Sequence, residues 1–430
     1  MSKEKLLFVQ SAPSATERIL IMPQTIFHID VNSAYLSWSA LDKLSHGSTV
    51  DLRTIPAIIG GDMAKRHGVV LAKSIPAKSY GIKTGEPIVN AMRKCPTLLI
   101  ERPDHKLYHR RSQELMELLS DICPDIEQVS VDECYMDYTP IEKLFSSPIE
   151  AAAHIRTKVY EKLGFTVNIG ISDRKVLAKM ASDFKKPNLT HTLYSYEIQE
   201  KLWNLPVSSL FMCGHSSMEV LHNLGIITIG DLAKSDVSII TSNLKSHGKL
   251  LWEYANGIDD SIVETKQAAA KGIGNSITLS RDAKTMEEAC HVLLKLAESV
   301  AQRLRKSEQM AEMISVEIKY NDFKKASHQT TLQAPTSGSD TIYRISCALL
   351  KELWDGTPIR LLGIRCAKLV SAQEPIQMSL FDMPAAVSDD KPSISSHKEV
   401  QLEKALDSIR QKYGADAVVR GSLLQNKKFK

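Results

Sequence analysis

No Cys-x-x-C pair occurs in this sequence, and its seven cysteines, at positions 95, 123, 134, 213, 290, 347 and 366, are odd in number. That pattern argues against a zinc framework and against a closed set of disulfides, and it suits a reducing, cytoplasmic setting. No apolar run approaches the length of a membrane span, so no membrane association is expected. The opening MSKEKLLFVQSAPSATERIL carries charges but lacks the apolar core of a signal peptide, and residues 1–23 read as an extension ahead of the first domain. Strong charge is missing too. A net +4 is too mild to demand a polyanionic partner and does not oppose one. Internal repeats are absent. What is present is an ordinary globular share of apolar residues, 43% over 430 positions, enough for two to four domains with large cores.

Along the chain, TIFHIDVN (25–32) is β-rich, and SAYLSWSALDKL after it has helical spacing. HGSTVDLRTIP is a loop and AIIGG a second short strand. The stretch up to GEP holds small and basic residues broken by Gly and Pro. Residues 104–122 predict a helix, DIEQVSVDECYMDY a strand or hairpin, SPIEAAAHIRTKVYEKL an amphipathic helix, FTVNIGIS a strand, and DRKVLAKMASDFKKP a helix ended by Pro187. This alternation is an α+β pattern resembling a ferredoxin-like sheet. Residues 189–262 read as all-helical. Residues 271–370 form a second α+β unit, with strands at GNSITL, ISVEIKY, 328–332 and IRLLGIRCAKL, and helices over 285–307 and 338–354. From about 373 to 398 the chain is rich in Pro, Ser and Asp and reads as a linker, followed by the short helix KEVQLEKALDSIRQKYG.

Three acids sit in or at the ends of apolar strands: Asp30, Asp132 and Glu133. Taken singly, each is an ordinary turn acid facing water. Together, on neighbouring strands, they can converge. Adjacent residues on a regular strand point to opposite faces, so Asp132 and Glu133 share a site only if the chain turns or bulges there. Clustered hard oxygens suit Mg²⁺, which keeps waters and takes substrate phosphates as further ligands. Two such ions can clamp an in-line phosphoryl displacement.

Four stretches in order, FHIDVNSAY, AKSYGIKTGEP, SVDECYMD and GISDRKVLAKMASDFKKPN, resemble the Y-family, or translesion, DNA polymerases over nearly all of residues 24–381. Within that family Asp30-Val31-Asn32 and Ala77-Lys78 look most like the catalytic subunit of bacterial DNA polymerase V and its Gram-positive relatives. The resemblance implies a right-hand polymerase: a ferredoxin-like palm (24–40 and 96–188), small fingers (41–95), a helical thumb with a helix-hairpin-helix (189–265), an α+β little finger (271–372) and a tail (373–430). It implies two Mg²⁺ ions on Asp30, the Val31 carbonyl and Asp132, with Glu133 as the third acid. Tyr35 falls where the family places its steric gate against a ribose 2′-hydroxyl. Lys78 and Lys175 fall at positions that contact the incoming dNTP triphosphate, and backbone N–H groups of Ser33 and Ala34 at a helix N-terminus can face the same phosphates. Ser33, Ala34, Ala72 and Ala77 would leave the nascent-pair site roomy.

There are departures. Ile75 and Lys78 stand where many members have Tyr and Arg, Asn32 replaces a common acid, and the thumb's Gly-x-Gly turn is Cys213-Gly214-His215. The little-finger stretch carries 15 Lys or Arg against 11 Asp or Glu, a modest excess suited to tracking a DNA backbone. In the tail, QMSLF matches the peptide pattern that binds the bacterial sliding clamp, with Leu380 and Phe381 as apolar anchors and Gln377 fixing register. The expected protein is a monomeric, template-directed, low-fidelity translesion polymerase acting on primer-template DNA and dNTP. Its rivals are an inert relative that recruits partners through the clamp, and a nucleotidyl cyclase, which leaves the chain beyond residue 189 without a role.

Overall fold

Apolar residues at every second position of IFHIDV set the architecture of the first unit. Phe27, Ile29 and Val31 point to one face of strand β1 (Ile26–Val31), and Ile26, His28 and Asp30 to the other. The computed structural model describes residues 24–61, 68–266, 269–373, 397–414 and 417–421. It divides into two compact units, the first holding residues 24–60 and 70–266, the second holding residues 61, 68–69, 269–373 and the described tail.

In the first unit β1 leads into α1 (Ala34–Ser45), then β2 (Ala57–Gly60), β3 (Val70–Lys73), α2 (Ile75–Ser79), α3 (Ile88–Lys94), β4 (Leu99–Glu101), α4 (His105–Ser120), β5 (Ile126–Gln128), β6 (Glu133–Asp137), α5 (Pro148–Leu163), β7 (Val167–Ser172), α6 (Lys175–Ser182) and β8 (Thr190–Thr192). The main sheet runs β5-β6-β1-β7-β8, with β1 antiparallel to both β6 and β7. Its first four strands are in ferredoxin-like order. One face is covered by α4 and α5, whose Leu107, Tyr108, Leu115, Leu119, Ile155 and Val159 pack on Phe27, Ile29 and Val31. α6 lies on the other face. Gly170 of β7 makes that possible: a Cβ there would stand 2.0 Å from the Ala178 carbonyl oxygen and 2.4 Å from the Ser182 nitrogen.

A second, three-stranded sheet runs β3-β2-β4 and has its own core of Ile58, Val70, Ala77, Ile82 and Ile88. β3 and α2 arise in the stretch that showed only small and basic residues. Ser74 caps α2 by accepting from the Ala77 N–H at 3.0 Å. β4 lies just past residue 95, where the fingers were expected to end, yet pairs in parallel with β2.

Beyond β8 come α7 (Ile198–Lys201), α8 (His215–Asn223), α9 (Ile229–Lys234) and α10 (Val237–Ala255), which breaks at Lys245. α8 and α9 form the expected helix-hairpin-helix. Gly225 turns between them at φ +78°, a conformation that favours glycine, and Thr228 with Asp231 makes a reciprocal cap at the start of α9. The all-helical expectation for 189–262 fails only at β8, which extends the main sheet beside β7.

The second unit contains β9 (Gly272–Ala283), α11 (Met286–Lys306), β10 (Gln309–Tyr320), β11 (Lys325–Thr336), α12 (Ser339–Leu353) and β12 (Ile359–Ser371). Its sheet runs β11-β10-β12-β9, entirely antiparallel. Two helices supply its core with Leu293, Ala297, Val300, Leu304, Ile342 and Leu350. The tail helix α13 (His397–Tyr413) is tied to this unit by Arg305, which meets Glu403 at 2.9 Å and Asp407 at 2.7 Å. All seven cysteines are free. Among the described residues no helix is long and apolar enough to cross a membrane.

Candidate active site

The site forms where β1 ends and α1 begins. Asn32 is held by Thr166 through its N–H at 3.0 Å and its side-chain amide at 3.1 Å. Ser33 then takes the left-handed conformation, φ 50°, and turns the chain straight into the helix. Ser37 Oγ donates back to the Asn32 carbonyl at 2.8 Å. The first turn of α1, with N–H groups that have no helical acceptor, thereby borders a cavity beside Asp30.

The expected turn at the two acids is present. β5 and β6 form a hairpin whose loop covers residues 129–132, so Asp132 precedes the strand and Glu133 opens it. Ser130 holds the loop, donating from Oγ to Asp132 Oδ1 at 2.6 Å and accepting from the Glu133 N–H at 3.2 Å. Val31 N–H donates to the Asp132 carbonyl at 3.0 Å, and Asp30 pairs in register with Glu133. Asp30 and Glu133 therefore share the face under α6, while Asp132 comes off the hairpin loop at the same end of the sheet.

The cavity has a volume of about 520 Å³. Asp30, Val31, Ser33, Ala34, Tyr35 and Asp132 line it together with Ala72, Lys73, Ile75, Lys78 and Lys186. Four of the expected phosphate and sugar contacts, Ser33, Ala34, Tyr35 and Lys78, thus meet the two aspartates. Glu133 does not line it. Its Oε2 lies 2.6 Å from Lys179 Nζ and 3.1 Å from His28 Nε2 beneath α6. Ala77, expected beside the nascent pair, is fully buried in the core of the small sheet.

Lys175 lies elsewhere as well. It is 9% exposed, pairs with Glu127 at 2.6 Å and donates to the Ile262 carbonyl at 3.0 Å. Glu127 also accepts the Glu264 N–H at 2.7 Å, so this pair fastens the segment after α10. The reason is topological. β7 runs antiparallel to β1, pairing Asn168 with Asp30 and Ser172 with Ile26. The chain leaves β7 about 14 Å from Asp30, at ~3.4 Å per residue, and Lys175 is the first residue of α6. α6 carries the chain back, and Lys186 emerges at the Asp30 end. Lys186 forms ion pairs with Asp30 and, at 2.9 Å, with Asp183. Sequence spacing did not single it out, although the Lys-Lys-Pro-Asn that holds it was in view. Lys73, 3.1 Å from Thr84 Oγ1, is a further cation on the cavity wall, with no spacing in the sequence to mark it.

Electrostatics follow from this placement. Burial pushes the Asp30 carboxyl above its ordinary value, and Lys186 only partly offsets that. Glu133 goes the other way, to about 2: the His28 contact lowers it most, burial opposes, and Lys179 lowers it further. Burial holds His28 below its ordinary value, so it is neutral near pH 7. Its Nε2 lies 3.1 Å from Glu133 Oε2, and its Nδ1 faces the Ser182 hydroxyl at 2.8 Å. Burial, then the charge of Asp132, raises the Tyr35 phenol and keeps it protonated.

Among the described residues no group of three or more His, Cys, Asp and Glu closes into a metal cage. The convergent side-chain donors are two carboxylates on an open cavity. That is the donor set Mg²⁺ takes when it keeps waters and completes its shell with substrate phosphates, so the residues present fit such an ion. Gln377, Leu380 and Phe381 lie outside the described residues.

Known proteins match this chain over most of its length. The impB/mucB/samB family model matches residues 29–183, and the model of that family's C-terminal domain matches residues 270–380. A protein from Clostridium acetobutylicum named DNA polymerase IV is 44% identical over 404 residues, 94% of this chain and 99% of the relative. One of the same name from Alkaliphilus oremlandii is 36% identical over 405 residues, 94% and 100% of the two chains. The solved structure of the Y-family DNA polymerase chimera Dbh-Dpo4(243-245)-Dbh superposes with a TM-score of 0.71 at 22% identity, covering 81% of this chain and 99% of that one. The relatives' name is more specific than the polymerase V likeness drawn from Asp30-Val31-Asn32 and Ala77-Lys78. With its α+β fold, full-length relatives and paired aspartates in place, the chain belongs to the Y-family of translesion DNA polymerases, which are DNA-directed DNA polymerases.

Proposed function

We propose that this chain extends a primer 3′-hydroxyl with dNTPs, template-directed and at low fidelity, during bypass of damaged DNA, and that the cavity between Asp30 and Lys78 is where this happens. The observation that carries the reading is the meeting of Asp30 and Asp132 at one cavity that also holds Tyr35, Lys78, Lys186 and the N-terminus of α1. Two divalent ions, Mg²⁺ by the hardness of the donors, would be held by Asp30, the Val31 carbonyl and Asp132, and would supply charge neutralisation and activation of the attacking hydroxyl; Glu133, the third acid, would join them only by leaving Lys179 and His28. Lys78 and Lys186 then serve as point charges on the triphosphate, and the α1 N–H groups donate hydrogen bonds to its oxygens. Tyr35 bounds the sugar. In hand terms the palm is 24–40 and 96–188 with β8 joining its sheet, the fingers 41–95 with β4 joining theirs, the thumb 189–265 and the little finger 271–372. Primer extension in Mg²⁺ on intact and lesion-bearing templates tests the reading; extension that stops at every lesion contradicts the bypass role.

The triphosphate role passes from Lys175 to Lys186. Lys186→Ala is expected to raise the KM for dNTP about tenfold, the effect of losing one charge-assisted contact worth ~1.5 kcal/mol. Lys175→Ala is expected to lower thermal stability and leave that KM within about twofold, since it breaks an anchoring pair away from the cavity. Steady-state insertion kinetics on both variants separate the two positions; the reverse pattern restores Lys175.

Gln377, Leu380 and Phe381 are proposed to tether a monomeric, cytoplasmic enzyme to the bacterial sliding clamp, raising its concentration at the primer end. Pull-down on purified clamp is expected to lose most of the Leu380→Ala/Phe381→Ala double variant. Equal retention of variant and parent ends that proposal.

A further inference from the structure

Tyr35 does not stand alone. Its ring lies flat on the ring of Tyr108 from α4, with centroids 4.2 Å apart and planes 7° from parallel. Tyr108 cannot retreat. It is 1% exposed, packed among Trp38, Leu115 and the strand core, and its hydroxyl meets Ser39 Oγ at 2.9 Å. His105 stands edge-on to both rings, 6.2 Å from Tyr35 at 88° and 5.9 Å from Tyr108 at 85°. Trp38 flanks the pair at 6.3 Å from Tyr35 and 6.0 Å from Tyr108.

A gate that excludes one hydroxyl works only if it does not give. Tyr35 swings on two side-chain torsions, so its own covalent frame does not fix the ring. The support must come from behind, and the structure supplies a second flat ring at stacking distance, locked at its far end by a hydrogen bond. We infer that Tyr108 is a positioning residue for sugar discrimination: it sets the plane and depth of the Tyr35 ring, and through it the exclusion of ribonucleotides. This rests on Tyr35 being the sugar gate.

The test compares insertion of a dNTP and the matching rNTP, as the ratio of kcat/KM values, in the full chain. Tyr35→Ala examines the gate itself and is expected to raise relative rNTP use by about 100-fold. Tyr108→Met replaces the flat support with a flexible chain of similar bulk, and relative rNTP use is expected to rise ~3- to 10-fold, the scale of one aromatic pair. Tyr108→Phe keeps the ring but gives up the Ser39 contact, and the ratio is expected to rise about twofold, well short of Tyr108→Met. A merely structural role for Tyr108 lowers both rates together and leaves the ratio alone. If Tyr35→Ala changes the ratio and Tyr108→Met does not, the inference is overturned while the gate stands; if Tyr35→Ala leaves the ratio unchanged, the gate itself is wrong. Should Tyr108→Met fail to fold, Ser39→Ala decides. It strands the buried Tyr108 hydroxyl without touching a ring, and the ratio is expected to rise at least about twofold; a parental ratio there overturns the inference.

Discussion

Asp132→Ala is expected to lower template-dependent dNTP insertion by about 10³-fold or more, the scale seen when a group that stabilises developing charge is removed. Asp132 is half-exposed on a hairpin loop, and its side chain makes one local hydrogen bond, from Ser130. Fold stability should therefore change by only ~1 kcal/mol. The two effects are read separately, by single-nucleotide insertion kinetics and by chemical denaturation. Lost insertion with retained stability places Asp132 in the chemistry. A variant that keeps insertion within tenfold of the parent removes Asp132 from it, and with it the shared cavity as the reaction site. The same experiment weighs against the inert-relative alternative, in which parent and variant are equally inactive.

Gly170→Ala is expected to be the most destabilising single methyl in the first unit. The added Cβ meets backbone, 2.0 Å from the Ala178 oxygen and 2.4 Å from the Ser182 nitrogen, so no side chain can move aside. α6 must lift off the sheet. Overpacking against backbone costs about 3 kcal/mol or more. Activity should fall too, because α6 carries the Lys179 that holds Glu133 and the Ser182 that faces His28, and the chain leaving it places Lys186 on Asp30. Chemical denaturation of the variant checks this; a loss under ~1 kcal/mol means α6 does not pack on β7 as described.

The demand that the chain turn at Asp132 and Glu133, close to Asp30, could be made from the strand period alone, and the hairpin loop 129–132 and the Asp30–Glu133 register meet it. The main strands and the long helices were equally visible, because their apolar periods extend over many residues. Three things were not. β3 and α2 are four and five residues long and take their form from the cap at Ser74 and from packing on β2, which no local period reports. Ala77 carries no sign of facing a core rather than a nucleotide, since its side chain is too small to declare a face. Lys175 and Lys186 differ only in which end of β7 and α6 they occupy, a property of the sheet's antiparallel pairing. The antiparallel direction of β7 against β1 puts Lys186, not Lys175, at the Asp30 end.

The His28–Glu133–Lys179 group explains how a carboxylate sits under a helix. Glu133 is offered a neutral imidazole and an ammonium, so its charge is met without reaching into the cavity. Asp30, pushed upward by burial, is the carboxylate with most to gain from a second cation. The pairing of one satisfied and one under-compensated acid in adjacent strands is the electrostatic signature of this end of the sheet.

The most direct measurement is single-nucleotide insertion by the purified chain on four primer-templates that differ only in the templating base, with each dNTP offered separately in Mg²⁺ and again with the ion chelated. The expected result is insertion that follows the templating base, extends opposite a damaged base and disappears on chelation. Products that ignore the template, a cyclised nucleotide, or insertion that survives chelation would contradict the assignment of the Asp30–Asp132 cavity as a metal-dependent polymerase site.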